Sequence, residues 1–236
     1  MLTFLFPRRC SLCGTLLNQS ETYLCKACRK EDIFLKEPTC FSCGKSLESE
    51  EDEICSDCQK SPKNFKRGMG LCAYQGKVRQ SLLAIKYKNQ KDPIEFFVAE
   101  TIKRKGKQLK NLNADLVIPV PLHPRKKRQR GFNQAELFAG GIATAIGVPF
   151  SEKLVKRTVY TTPQKKLDSK ERKKNLHSAF AGDRRRYQSL GRPRRILVID
   201  DIYTTGATAE GVTKALLDLG AVEVYVFCIA IGKGFS

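Results

Sequence analysis

Residues 195–208 constrain this chain more than any other stretch. They read Arg195-Ile-Leu-Val-Ile-Asp-Asp-Ile-Tyr-Thr-Thr-Gly-Ala-Thr208. An apolar run over 196–199 reads as a buried strand, and two adjacent carboxylates, Asp200 and Asp201, follow it. A turn over 202–205 leads to Gly206, where a helical pattern starts. That pattern carries Val212, Ala215, Leu216 and Leu219 and stops at Gly220. A strand that feeds straight into a helix belongs to an α/β architecture, in which strands and helices alternate.

The chemistry of the run is as specific as its shape. The first turn of a helix has N–H groups with no intrahelical partner, and its dipole favours negative charge, so this turn is an anion site. Thr204, Thr205 and Thr208 add hydroxyls, while Gly206 and Ala207 leave the backbone approachable. Asp200 and Asp201 cannot share that anion, but they accept from vicinal hydroxyls. The expected ligand is a ribose 5-phosphate compound, with acids on the 2′- and 3′-hydroxyls and the loop on the 5′-phosphate. The blander reading is an ordinary strand–turn–helix with capping threonines. No Gly-x4-Gly-Lys-Ser/Thr run and no spaced Gly-x-Gly-x-x-Gly is present, which argues against a P-loop nucleotide triphosphatase and a dinucleotide dehydrogenase.

The chain has 236 residues and ten cysteines. Eight of these form four Cys-x-x-Cys pairs, Cys10/Cys13, Cys25/Cys28, Cys40/Cys43 and Cys55/Cys58. The first two pairs return as the last two after 30 positions, and Gly14 returns as Gly44. This is a tandem duplication in which each unit supplies four thiolates, the ligand set of a tetrahedral structural zinc. Two zinc ions are expected. The duplication favours sequential sites, four cysteines from each repeat, and an interleaved cross-brace is the alternative. The segment is poor in core residues, so metal would supply much of its folding energy. Cys72 and Cys228 lie in apolar surroundings and read as core.

The apolar run at 2–6 is too short and badly flanked for a signal peptide, and no apolar stretch approaches the ~20 residues that span a bilayer. A cytoplasmic protein without membrane insertion is expected, reaching the inner face of the membrane only through partners. With 43 Lys and Arg against 24 Asp and Glu, the formal net charge is +19. The excess is clustered. One cluster is Arg125, Lys126, Lys127, Arg128 and Arg130; others lie at 103–110, 170–174, 184–186 and 192–195. Such density points to a polyanionic partner, although no sequence-reading helix-turn-helix or RRM-like aromatic motif accompanies it.

Two units are expected, a double zinc ribbon over 1–60 and an α/β domain over 61–236, with 61–64 as linker. Strands are expected at 70–74, 116–121, 196–199 and 222–231. Helical spacing runs over 78–86 and from Ile94 to Ile102, and again over 131–145, while 104–113 reads as an exposed loop or helix end. Residues 123–130 lie between a strand and a helix, where open α/β sheets place ligand groups. His123 and His177 are too few for a histidine metal site. The stretch 157–194 is polar and basic with few core positions.

Residues 198–208 resemble the phosphoribosyl pyrophosphate (PRPP) signature of type I phosphoribosyltransferases, with no departure from the pattern. The chain as a whole is similar to the ComF family of competence proteins. The likeness rests on the opening Leu5-Phe6-Pro7 with the cysteine pairs, then Ile85-Lys86-Tyr87 and Val120-Pro121-Leu122-His123-Pro124. It continues through Arg130-Gly131-Phe132-Asn133-Gln134, Pro163-Gln164, and Arg172, Asn175 and Ala179-Phe180. The resemblance implies a type I phosphoribosyltransferase-like parallel sheet flanked by helices, preceded by a small zinc-binding unit. It implies that 119–124 lies nearest the pyrophosphate of PRPP, bridged by Mg²⁺. It also implies work in natural transformation, with single-stranded DNA as partner and a DNA-translocating, helicase-like ATPase alongside. The Arg125–Arg130 cluster is the expected DNA contact. Three function classes stay open: a nucleic-acid-handling protein that keeps a PRPP site, an active phosphoribosyltransferase (a glycosyltransferase using a base or amine), and a zinc-ribbon docking adaptor with a vestigial site. The base-holding hood of the type I enzymes is not identifiable, and either the zinc unit or 157–194 would have to supply it.

Overall fold

A computed structural model describes residues 8–159 and 179–232. The residues 5–7, 163–164, 170–175 and His177 singled out above lie outside them. In chain order the elements are α1 (Lys26–Arg29), α2 (Ser56–Lys60), β1 (Arg67–Ala73), α3 (Gly76–Lys88), α4 (Asp92–Lys110), β2 (Leu116–Pro119), α5 (Pro124–Arg130) and α6 (Gln134–Ile146). Then come β3 (Val155–Arg157), β4 (Phe180–Gly182), α7 (Arg184–Ser189), β5 (Arg195–Tyr203), α8 (Ala207–Leu219) and β6 (Glu223–Ile231).

The near-continuous apolar strands are those of a parallel sheet covered on both faces. The order is β1-β6-β5-β2, and each neighbouring pair is parallel. Side chains alternate between faces along each strand. On one face Val117, Leu197, Ile199, Tyr225 and Phe227 meet Val78 and Leu82 of α3, Phe97 of α4, and Phe138 and Ile142 of α6. On the other, Leu116, Ile118, Ile196, Val198 and Val226 meet Val212 and Leu216 of α8, with Leu154 just before β3 and Phe180 of β4. Cys72 and Cys228 are buried in these layers, as expected.

Both edges of the sheet are covered. Phe34 bridges Cys72 antiparallel, Leu35 N–H donates to Leu71 O (3.0 Å) and Ala73 N–H donates to Ile33 O (3.0 Å). Beyond β2, Phe150 bridges Val117, which donates to Pro149 O (2.8 Å) and accepts from Ser151 N–H (3.0 Å).

The structure adds local detail. The stretch 104–113 is a helix end, the second of its two readings, because α4 runs unbroken from its first-turn proline to Lys110. Residues 124–130, to which the sequence assigned no element, are a helix. Pro124 sits at its start and His123 Nδ1 accepts from Arg125 N–H (3.2 Å), while Gly131 ends it in the left-handed region. The strand expected at 196–199 continues to Tyr203, because β6 extends far enough to pair Ile202 with Ala230 and Tyr203 with Ile231.

Candidate phosphosugar site and zinc centres

The two cysteine repeats fold alike. Gly14 and Gly44 share a φ of 78°, and each donates its N–H to the carbonyl of the first cysteine, Cys10 or Cys40 (2.8 Å). Cys25 N–H points at Cys10 Sγ (3.5 Å) and Cys55 N–H at Cys40 Sγ (3.3 Å). Cys10, Cys13, Cys25 and Cys28 form one cluster and Cys40, Cys43, Cys55 and Cys58 the other, with ligand atoms within 4.8 Å of one another. Four sulfurs at about 2.3 Å from a zinc sit about 3.8 Å apart. Cys13 and Cys25 are 3.8 Å apart, and Cys43 and Cys55 are 3.6 Å apart. The sites are sequential, not interleaved, and both suit structural zinc.

The unit does not stand apart from the sheet. Cys10, Leu12, Cys28 and Ile33 share the α3–α4–α6 core, whereas Cys40, Cys43, Cys58 and Phe65 share the α8 core. The 60/61 division therefore separates sequence units that pack as one body.

The acid pair lies within β5, not beyond its end. Asp201 is buried and takes two partners on one oxygen, Lys86 Nζ (2.6 Å) and Gln134 Nε2 (3.1 Å). Arg130 Nη1 in turn donates to Gln134 Oε1 (2.5 Å). Asn133 fixes the start of α6 by accepting from Ala135 N–H (3.2 Å) and donating to Val120 O (3.0 Å). Asp200 is half-buried. Burial, and then the Asp201 carboxylate, push its carboxyl well above the usual range. Arg157, on β3, feels the Asp200 charge and lies over the Phe180 ring (5.4 Å). Burial, followed by Arg157, Arg130 and Lys86, holds the Lys126 ammonium below its usual value. Four cations thus converge beside two acids.

Past β5, Thr204 and Thr205 are exposed, and Ala207 and Thr208 are partly so. Gly206 is left-handed, and a Cβ there would run into the Tyr203 hydroxyl, so only glycine suits the turn. Having no side chain, Gly206 cannot cap α8, and the Thr205 hydroxyl reaches Ala207 N–H only at 3.4 Å.

The basic cluster does not act as one surface. Arg125 and Arg128 are exposed, whereas Lys127 donates to both oxygens of Glu136 (2.8 Å each) and Arg130 is drawn toward Gln134. Lys86 stood out only within the Ile85-Lys86-Tyr87 run of the resemblance, and neither it nor Arg157 was assigned to the site. A lone arginine in a basic stretch carries no local signal.

No helix among the described residues is long and apolar enough to cross a membrane. Solved structures similar in part include a purine phosphoribosyltransferase from Pyrococcus horikoshii Ot3 (18% identity, 57% of this chain and 72% of that one, TM-score 0.33). Another is an orotate phosphoribosyltransferase from Aeropyrum pernix (14%, 63% and 62%, TM-score 0.33). Overlaps that low carry no weight for function. Among curated proteins, the chain is 34% identical over 118 residues to Competence protein F of Haemophilus influenzae, covering 49% of this chain and 50% of that one. It is 33% identical over 115 residues to DNA utilization protein YhgH of Escherichia coli K12, covering 49% and 48%. To Competence protein ComFC of Streptococcus pneumoniae it is 33% identical over 124 residues, covering 52% and 51%. The chain spans about half the length of the curated relatives it matches. Residues 1–59 match the family model described as a double zinc ribbon domain, so the resemblance drawn from the motifs returns in the comparisons at both the ribbons and the competence proteins.

Proposed function

We propose that this protein handles single-stranded DNA during uptake and keeps a PRPP or ribose 5-phosphate site beside the DNA path. The observation that carries this reading is the Lys86–Asp201–Gln134–Arg130 chain of contacts, which ties the acid pair of β5 to the basic helix α5. The names of the curated relatives, competence and DNA utilization proteins, support the same process. In this reading Asp200 takes the ribose hydroxyls, and residues 204–208 take the 5′-phosphate. Lys86, Lys126, Arg130 and Arg157 supply the positive field that a pyrophosphate or a DNA backbone needs. Mg²⁺ arriving with PRPP would meet Asp200 and keep several waters. A DNA-translocating ATPase is the partner class that would hand over the strand.

The DNA half is tested by a salt titration. Arg125→Gln/Lys126→Gln/Arg128→Gln is compared with Lys103→Gln/Lys107→Gln/Lys110→Gln, an equal charge loss on exposed positions of α4. A local path loses about 0.7 of log–log salt slope per phosphate contact removed in the first variant only. Equal losses in both would mean diffuse attraction. The sugar half is tested by calorimetry with PRPP and Mg²⁺. Asp200→Asn should weaken binding at least tenfold with little change in melting temperature, and unchanged binding would remove the assignment. A second reading, an active phosphoribosyltransferase, is favoured by the same convergence of cations beside the acids. PRPP consumption on addition of a base or amine would select it.

A further inference from the structure

We infer that Tyr87, backed by Arg130, is a stacking platform for a nucleobase whose sugar-phosphate occupies the acid-pair site. The inference rests on the function proposed above and specifies which part of the ligand it reads.

Tyr87 is the most exposed of the large apolar side chains among the described residues, at 76%. Helix α3 has no packing need for it there, because its buried face is Val78, Ser81, Leu82 and Ile85. The ring is nevertheless not isolated. The Arg130 guanidinium lies over it, 5.8 Å from the centroid. The same guanidinium reaches Gln134, which holds Asp201, and the residue before Tyr87 is the Lys86 that closes the ion pair on Asp201. The ring is thereby indexed to the acid pair from both sides, by its own helix and by α5.

With Arg130 on one side and most of its surface in water, the ring has a face open. An aromatic ring in a basic setting accepts any base by its π-face, whatever the sequence, and stacking contributes about 1–3 kcal/mol per base. The sequence carries no RRM-like aromatic motif, but Tyr87 beside α5 supplies one such ring. The bland account is a surface cation–π pair, which would support the helix ends and read no ligand.

Fluorescence anisotropy separates the two. A short oligothymidylate is compared with an abasic strand of the same number of phosphates, on the wild type, Tyr87→Ala and Tyr87→Phe. The wild type is expected to prefer the base-bearing strand by about tenfold. Tyr87→Ala should abolish the preference while leaving the abasic affinity unchanged, and Tyr87→Phe should keep it. Equal wild-type affinity for the two strands, or a Tyr87→Ala loss that is the same on both, overturns the platform while leaving DNA binding intact. If neither strand binds, the DNA-handling function fails instead, and uridine 5′-monophosphate against ribose 5-phosphate decides the platform. A wild-type preference for the nucleotide that Tyr87→Ala removes supports it with a free nucleotide as ligand. No such preference, or no binding of either, overturns it.

Discussion

The two zinc ribbons have the same cysteine spacing, the same glycine turn and the same N–H···Sγ contacts, yet they grip opposite faces of the sheet. The first sits against α3 and α4, and its main polar tether is the Ser81 hydroxyl donating to Ser11 O (2.6 Å). Within it the buried Glu21 accepts from Asn18 N–H (2.9 Å) and Lys26 N–H (2.8 Å), a purely internal brace. The second sits against β1, Tyr203 and the start of α8. Its glycine packs against backbone: a Cβ on Gly44 would lie 2.9 Å from Met69 Cα, whereas one on Gly14 meets nothing within 4 Å. Position 15 is a threonine, but position 45 is a buried lysine paired with Asp57. Just past the second ribbon, Asn64 N–H donates to both oxygens of Glu210 in the first turn of α8 (3.2 and 3.1 Å). Duplication reproduced the metal site; what the site is for in the fold was decided by the neighbours of each copy. The first ribbon caps a helical layer, and the second supports the turn over 204–208 that leads into α8.

The largest test of this difference removes one ligand from each. Cys13→Ser and Cys58→Ser should each lower the zinc content from two to one, and structural zinc contributes about 10–16 kcal/mol to folding around it. Amide exchange over 204–210 should accelerate strongly in Cys58→Ser and little in Cys13→Ser. Equal acceleration would show that the ribbons are interchangeable supports. A smaller effect is expected at the glycines. Gly14→Ala places a Cβ at positive φ in open space and should cost about 1–2 kcal/mol. Gly44→Ala adds a backbone clash worth about another 1–3 kcal/mol, so its melting temperature should fall further; matching melting temperatures would contradict the packing difference. Smallest are the tethers. Ser81→Ala and Asn64→Ala, which removes the side-chain amide that also donates to Glu210, should each cost about 1 kcal/mol in urea unfolding, but only Asn64→Ala should loosen the first turn of α8 in exchange measurements.

The ribbons were legible because metal chemistry fixes ligand type and spacing in the sequence itself. The duplication also favoured sequential pairing, and the thiols of each repeat do meet in one cluster. The acid pair and the turn after it were readable as a contiguous motif, but the partners of Asp201 were not. Lys86 and Gln134 lie far from it in sequence and meet it only because α3 and α6 cover the same face of the sheet. The basic run 125–130 announced its charge and concealed its geometry, as a helix turns Lys127 toward Glu136 and leaves Arg125 and Arg128 outside.

The pairing of β1 with β6 also sets an order of assembly. Arg67 faces Tyr225, so the sheet cannot close until synthesis has passed the final described strand. Each ribbon, by contrast, has its ligands within a short span and can load zinc early. Closing so long a loop makes sheet formation slow, and the unpaired strands wait exposed to association with other chains. The segment 33–35, already tied between two loaded ribbons, offers β1 an antiparallel partner through Leu35 and Ala73 before β6 exists. The duplicated metal sites therefore act in time as well as in space: they hold a partner on the outer edge of β1 early, while the opposite edge stays open until β6 is made.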